Sequence, residues 1–235
     1  MNFESRSLKD LQEKGKLDKI MKRHKKYINK DGYIAHGTQV YCFEYKNKSV
    51  LKVCPREIKF FRTYKSIKTE VNSLEPFFLP VKHIIADGNA VLYVQKKCRI
   101  ASDVGMNNTN LYIILQVILM VAYMIKIGKI VSDISIHNLG RFHHDIYIFD
   151  WHGMQALDRS KDWYTRLVRN LIEYLKPYIS ELGLSNDKII DIVKDQDAPA
   201  KLIVIYDILY GKYHDQLNEK QKSKVINKRQ LICDK

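Results

Sequence analysis

The pattern of apolar and polar positions changes twice along the chain. Residues 1–29 are strongly basic, and their apolar side chains recur at helical spacing. From Gly32 the pattern changes to short runs of β-branched and aromatic residues, and from residue 109 onward apolar helical stripes dominate. We therefore predict an α+β protein with a basic helical N-terminal extension at 1–29, a sheet-containing part at 30–98 and a mostly helical part at 99–235.

Five runs in the sheet-containing part have the composition of strands. They lie at residues 33–35, 40–45, 49–53, 78–85 and 90–95. Turn-forming residues separate neighbouring runs at 36–39, 46–48 and 87–89, which predicts a small antiparallel sheet of five strands. Residues 57–75 carry an apolar stripe at helical spacing and predict the one helix of this part.

The longest apolar run extends from Leu111 to Ile125 and is interrupted only by Gln116. It is too short to span a bilayer, so it predicts a buried helix at 109–126. Further helices are predicted at 163–182, 188–194 and 201–210. The N-terminal residues lack the apolar core of a secretory signal peptide, and we expect no transmembrane segment.

Composition narrows the class of protein. The 235 residues are 46% hydrophobic, which excludes a disordered chain and allows one large domain or two small lobes. The net charge of +14 is compatible with an anionic partner and equally with a lysine-rich surface. Cys42, Cys54, Cys98 and Cys233 form no C-x-x-C pair, so we expect neither disulfides nor a zinc site, and a cytoplasmic location.

The stretch from Lys129 to Gly153 carries the main candidate chemistry. Asp133 and Asn138 lie five residues apart in a segment without helical periodicity, and two short apolar strands follow. Asp150 closes the second strand. Such a hairpin can place two carboxylates and a carboxamide around one divalent ion, which is what phosphoryl transfer requires.

Lys52 is the one charged residue in the apolar run 50–54. An inward-facing lysine needs a partner, because burial of an unpaired ammonium group is costly. Glu70 lies on the flank of the predicted helix 57–75 and could meet it. A lysine of an edge strand that extends to water is the alternative, and the pattern of this run alone leaves both open.

Taken in order, these pieces resemble the protein kinase superfamily over about residues 32–182. Ser49-Val50-Leu51-Lys52 is similar to the V-A-I-K strand, and Glu70 suits its ion-pair glutamate. Asp133 to Asn138 matches the D-x-x-x-x-N pattern of the catalytic loop, and Asp150-Trp151-His152-Gly153 stands for D-F-G with one extra residue. Asp162 resembles the aspartate that opens a long helix and braces the catalytic loop.

The resemblance implies a two-lobed protein kinase-like fold, with a sheet-containing N-lobe and a helical C-lobe, that uses ATP and Mg²⁺. Asp133 would then act on the acceptor hydroxyl, with Lys52 and Glu70 as the other catalytic residues. Asn138 and Asp150 would bind Mg²⁺. The nucleotide would also contact a set of residues along the sheet and its exit: Gly37, Thr38, Val40, Val50, Lys52, Lys96 and Cys98.

Departures from the family pattern bear on the acceptor. Val131-Ser132 replaces the usual His-Arg, and Ser135 stands where a lysine is often found. Only eleven residues separate Asp150 from Asp162, without an A-P-E motif, so the peptide-docking segment is mostly missing. The expected activity is a Ser/Thr protein kinase. A small-molecule kinase for a sugar or aminoglycoside and a non-catalytic pseudokinase that acts through its basic surface are the alternatives.

Overall fold

The computed structural model describes residues 16–28, 32–36, 40–46, 48–54, 74–87, 90–131, 133–150 and 154–234. The fold is α+β, as predicted, with an antiparallel five-stranded sheet and a helical part. Internal contacts divide the chain into two compact units, one up to Lys97 and the other from Cys98 onward.

The first unit contains one described helix and five strands. These are α1 (Lys16–Arg23), β1 (Tyr33–His36), β2 (Tyr41–Tyr45), β3 (Ser49–Cys54), β4 (Val81–Asp87) and β5 (Ala90–Lys96). The strand order is β1-β2-β3-β5-β4, and every neighbouring pair is antiparallel, which confirms the predicted sheet. The fourth strand begins at Val81, later than predicted, because Pro80 cannot donate a hydrogen bond to a ladder.

One face of this sheet forms the core of the first unit. Phe43, Leu51 and Val94 lie opposite one another on β2, β3 and β5. Opposed residues of antiparallel strands share a face, and all three side chains are buried on this one. Ile20 and Met21 belong to the same cluster, so the apolar side of α1 covers the sheet. The basic N-terminal segment thus contributes to the core through α1.

The second unit contains short strands and five helices among its described residues. They are β6 (Arg99–Ile100), α2 (Leu111–Lys126), β7 (Lys129–Val131), β8 (Leu139–Phe142), β9 (Asp145–Ile148), β10 (Met154–Ala156), α3 (Asp162–Leu175), α4 (Asn186–Lys194), α5 (Ala198–Tyr213) and α6 (Glu219–Cys233). Two small sheets accompany the helices, with the orders β10-β7 and β6-β8-β9.

The helix α2 is the centre of the second unit. Its residues from Leu111 to Ile125 are all buried, and it packs against α3, α5 and α6. Asn110 caps its N-terminus by accepting a hydrogen bond from the backbone N–H of Ile113. The prediction of a buried helix is therefore confirmed, and no helix among the described residues is long and apolar enough to cross a membrane.

Two predictions about the helices need correction. The helix predicted at 163–182 is wrong beyond Leu175, where Pro177 lies in a 3₁₀ turn, Lys176–Tyr178, because proline cannot extend the α-helical hydrogen bonding. The helix α6 was not among the specific predictions. Its sequence signal is the capping box of Asn218 and Gln221, in which each side chain accepts a hydrogen bond from the other residue's backbone N–H.

A buried ion pair joins α6 to the β8–β9 hairpin and to α2. The ammonium of Lys228 lies 2.9 Å from Asp145 Oδ1, and each side chain is only 2% exposed. Lys228 also donates to Gln116 Oε1 on α2 at 2.8 Å and to the backbone oxygen of Ile146 at 2.9 Å. Three elements far apart in sequence therefore meet at one charged contact.

Burial sets the energetics of this pair. Burial lowers the pKa of Lys228 to about 8, although the charge of Asp145 acts in the opposite direction. The folded state therefore disfavours the ammonium relative to water, as expected when desolvation outweighs attraction. The pair therefore adds little to the free energy of unfolding. Its main effect is to determine which elements pack against one another.

We expect Lys228→Met to lower the free energy of unfolding by about 3–5 kcal/mol, because it leaves the buried carboxylate of Asp145 with only the more distant and partly exposed Lys224, at 4.0 Å. The double variant Lys228→Met/Asp145→Asn should recover most of the loss, since no charge then remains buried. Urea denaturation measures both. The control is Arg229→Met, which breaks an exposed pair with Asp207 and should cost at most about 1 kcal/mol. Equal losses for the single and double variants would contradict this account.

Candidate functional site

The loop between β7 and β8 presents Asp133 and Asn138 together. Asp133 is exposed, and its Oδ1 accepts a hydrogen bond from the backbone N–H of Ser135 at 3.1 Å. The side-chain amide of Asn138 donates to the backbone oxygen of Asp133 at 3.3 Å. A short 3₁₀ turn, Ile136–Asn138, closes the loop. The five-residue spacing therefore folds into a compact turn that holds both side chains.

Asp150 is placed by the hairpin that follows. The register pairs Leu139 with Ile148, and the backbone N–H of Phe149 donates to the oxygen of Asn138 at 3.3 Å. Asn138 at the start of β8 and Asp150 after the end of β9 are therefore at the same end of the hairpin. Both are half-buried.

The donor chemistry of this set suits a hard cation. Two carboxylates and a carboxamide are oxygen ligands of the kind that Mg²⁺ takes, with water or phosphate oxygens completing the shell. Among the residues described by the structure, no group of three His, Cys, Asp or Glu side chains is placed to hold a metal. A metal site here would therefore depend on Asn138 as well as on Asp133 or Asp150.

Lys52 belongs to the first unit and is only 7% exposed. It lies in the middle of β3, opposite Cys42 on one side and Tyr93 on the other. Its Nζ is 5.7 Å from the centroid of the Tyr93 ring, within the range of a cation–π contact. The sequence left an edge-strand lysine open, but β3 is an inner strand and this side chain is buried.

Four of the other predicted nucleotide-site residues are described by the structure. Val40 is buried, whereas Val50, Lys96 and Cys98 are half-buried. Val50 lies two residues before Lys52 on the same face of β3. The remaining predictions fall outside the described residues: Gly37, Thr38, Glu70, 151–153 and the predicted helix 57–75, except for its last two residues, which lie in a turn.

Gln95 was not predicted, and its position is unusual. It lies opposite Val50 in the sheet and is 1% exposed. Its side-chain N–H donates to the backbone oxygen of Leu79 at 2.9 Å, while its Oε1 has no hydrogen-bond partner among the described residues. A buried acceptor without a donor is uncommon in folded proteins. Only the strand register reveals that it shares a face with Lys52.

Tyr174 is a second residue that the sequence did not single out. Its hydroxyl, on α3, donates a hydrogen bond to the backbone oxygen of Ile134 at 2.8 Å. This contact supports the loop between β7 and β8. Burial raises the pKa of Tyr174, and the nearby charge of Asp133 raises it further. Asp162 opens α3 as expected, but its side chain is exposed. The described buried contact to the loop comes from Tyr174.

No model of a known protein family matches the chain, and no curated protein matches it.

Tyr174→Phe should lower the free energy of unfolding at pH 7 by about 1–2 kcal/mol, because it removes the buried hydrogen bond to Ile134. Tyr206→Phe is the matched control. The buried Tyr206 hydroxyl has no hydrogen-bond partner among the described residues, so its loss should have almost no effect. Urea denaturation checks both, and equal effects would contradict the supporting role of Tyr174.

The same tyrosines predict a loss of stability in alkali. Burial raises the pKa of Tyr174 and of Tyr206 above the ordinary value of 10.0. The unfolded chain then releases their protons before the folded chain does, so their contribution to stability is complete below pH 10 and is lost as the pH rises above it. The free energy of unfolding of Tyr206→Phe should fall less steeply between pH 10 and 11 than that of the wild type.

The tight turn of the β8–β9 hairpin gives a further prediction. His143 and His144 have φ of +47° and +66°, a conformation of type I′ turns that favours Asn-Gly. His144→Gly should raise the free energy of unfolding by about 1 kcal/mol, because glycine adopts this φ without a steric penalty. Gly128→Ala is the reciprocal control. Gly128 has φ +68° and open space around it, so only backbone strain should destabilise that variant. Thermal unfolding measures the stabilisation expected for His144→Gly and the destabilisation expected for Gly128→Ala.

Proposed function

We propose that the chain is a protein kinase-like phosphotransferase that transfers the γ-phosphate of ATP to a hydroxyl group and depends on Mg²⁺. The observation that carries the proposal is the arrangement of Asp133, Asn138 and Asp150 around one loop and hairpin. Phosphoryl transfer requires mainly positioning and charge stabilisation, and these groups can supply both.

The roles are those that the resemblance to protein kinases implies, and the chemistry of each residue suits its role. Asp133 is exposed and carries a carboxylate oriented by the N–H of Ser135, so it can accept a proton from an acceptor hydroxyl. Asn138 and Asp150 would hold Mg²⁺, which when bound neutralises charge on phosphate oxygens. The buried Tyr174 keeps the loop in place through Ile134 and belongs to the support of the site.

The first unit supports a nucleotide role through Lys52. A buried ammonium on an inner strand is suited to bind phosphates, since burial strengthens its attraction for negative charge. Glu70 remains the proposed partner of Lys52.

Two acceptor classes deserve consideration. A Ser or Thr hydroxyl of a protein is the acceptor that the resemblance to protein kinases favours. The path of the chain after Asp150 favours a small molecule, because β10 pairs with β7 and the N–H of Leu157 donates to the oxygen of Gly128 at 2.9 Å. The helix α3 begins shortly afterwards at Asp162. The described part of this segment thus provides little surface on which a peptide could dock.

Labelled ATP with Mg²⁺ and mixed acceptors tests the activity. Asp133→Asn should reduce transfer by about 100-fold or more and keep the rise in melting temperature that Mg²⁺–ATP produces, since it removes the base and leaves the ligand site. Asp150→Asn should lose both the transfer and the Mg²⁺-dependent rise. Lys52→Met should weaken the rise caused by ATP.

Asp187→Asn is the matched control for these variants. Asp187 is exposed on the first turn of α4, so the substitution changes the net charge equally and should change neither readout. Transfer to casein-type proteins identifies a protein kinase, and transfer to sugars or aminoglycosides identifies the alternative. No transfer to any acceptor or to the protein itself would contradict the proposal. A melting temperature that does not respond to ATP would instead support a non-catalytic module.

A further inference from the structure

One end of the five-stranded sheet collects lysines from several strands. Tyr45 pairs with Ser49, Ser49 with Lys96, and Val81 with Gln95, so β2 and β5 end where β3 and β4 begin. The residues next to these ends are largely basic. They are Lys46, Lys48, Lys82, Lys96 and Lys97. They are spread over about 15 Å, since adjacent strands are roughly 4.8 Å apart.

A cavity opens at this end of the sheet. Its volume is about 380 Å³, and it is open to solvent. It is lined by Glu44, Tyr45, Lys46, Lys48, Ser49 and Lys97. Three lysines and one glutamate give this lining a net charge of +2. Lys97 is tied to Glu44 at 2.7 Å, and both side chains are about half-exposed or more, so the pair can open toward a ligand.

The backbone of Lys48 adopts a left-handed conformation that favours glycine or asparagine over lysine. Three residues, 46–48, join β2 to β3, and Lys48 has φ +63°. The left-handed position of a three-residue hairpin loop normally holds glycine or asparagine, because a side chain with a Cβ is disfavoured there. A lysine at this position places a cation at the cavity despite the strain. Strain of this kind is often found at binding sites.

Lys82 and Lys96 show that the lysines crowd one another. Lys82 is the extra residue where the register between β4 and β5 shifts, and the close side chain of Lys96 lowers the pKa of Lys82. An ammonium group can donate a hydrogen bond but cannot accept one, so two lysine side chains this close repel each other when both are charged. A bound anion would relieve that repulsion, so this crowding supports an anionic ligand beside the cavity.

We propose that this cavity binds the dianion of a phosphate monoester, with Lys46, Lys48 and Lys97 as the cationic contacts. The charge of the lining, +2, matches the charge of −1.5 to −2 that such a group carries at pH 7. The hydroxyl of Ser49 can donate a further hydrogen bond. The site is separate from the proposed nucleotide role of Lys52, which lies farther along β3.

Titration with inorganic phosphate, followed by amide NMR at low ionic strength, tests the proposal. Low salt is needed because exposed lysines are screened. The amides of Lys48, Ser49 and Lys97 should shift with saturation, and affinity should fall as the pH is lowered through neutrality, because the dianion of inorganic phosphate then gains a proton. Sulfate stays a dianion over this range, so its binding should not change.

The variant Lys46→Gln/Lys48→Gln should bind phosphate about tenfold more weakly, the combined effect of two exposed charge contacts. The single variant Lys48→Gly should also weaken binding, while its melting temperature should remain equal or rise because glycine relieves the strained φ. Lys52→Met should leave this binding unchanged, which separates the site from the proposed nucleotide site.

The control for charge is Lys19→Gln/Lys22→Gln, which removes two exposed lysines from α1. An equal loss of affinity in this variant would mean general attraction to a basic surface and would overturn the proposal. So would phosphate shifts that are spread evenly over the first unit, or an unchanged affinity in Lys46→Gln/Lys48→Gln.

A Ser-phosphorylated peptide and its unphosphorylated form identify the source of the phosphate. Tighter binding of the phosphopeptide than of inorganic phosphate would support a phosphorylated protein segment as the ligand. Equal affinities for the phosphopeptide and for inorganic phosphate would support a free phosphate ester as the ligand. The assignment would be overturned if neither the phosphopeptide nor inorganic phosphate bound. It would also be overturned if the unphosphorylated peptide bound as tightly as the phosphopeptide.

Discussion

The second unit depends on the contact between Asp145 and Lys228. The carboxylate lies at the start of β9 and the ammonium on the last helix, 83 residues later, and Gln116 on the buried helix α2 hydrogen-bonds to both. The backbone N–H of Ile146 and the ammonium donate to the same carboxylate oxygen. Because neither charge reaches water, any arrangement that separates them leaves a buried ion unpaired. This constraint selects one placement of α6 against the hairpin.

That contact matters for the candidate site because both ends of the hairpin are held. Asp145 is at the turn end, and Asn138 and Asp150 are at the other, where Tyr174 supports the preceding loop. The groups proposed for chemistry are themselves exposed or half-buried. Rigid buried polar contacts therefore lie beneath side chains that remain accessible, as preorganised sites require.

The net charge of +14 becomes informative only once lysines are located. Lys228 is buried in a structural pair, and Lys52 is buried on an inner strand. Lys46 and Lys48 are exposed beside a cavity, whereas Lys19 and Lys22 lie on the outer side of a helix that covers the sheet. Lysines with one formal charge thus serve different physical purposes, and composition alone does not distinguish them.

The sequence by itself determined the type and order of most described elements, the antiparallel pairing and the buried character of α2, because periodicity and turn residues act between near neighbours. It also placed Asp133 and Asn138 at a spacing that one turn can close. Only the tertiary structure decided that Lys228 meets Asp145, that Tyr174 supports Ile134, and that lysines next to the ends of β2, β3 and β5 line one cavity. These contacts join side chains that come together only when helices, hairpins and strands pack against one another, and short-range patterns in the sequence do not specify that packing.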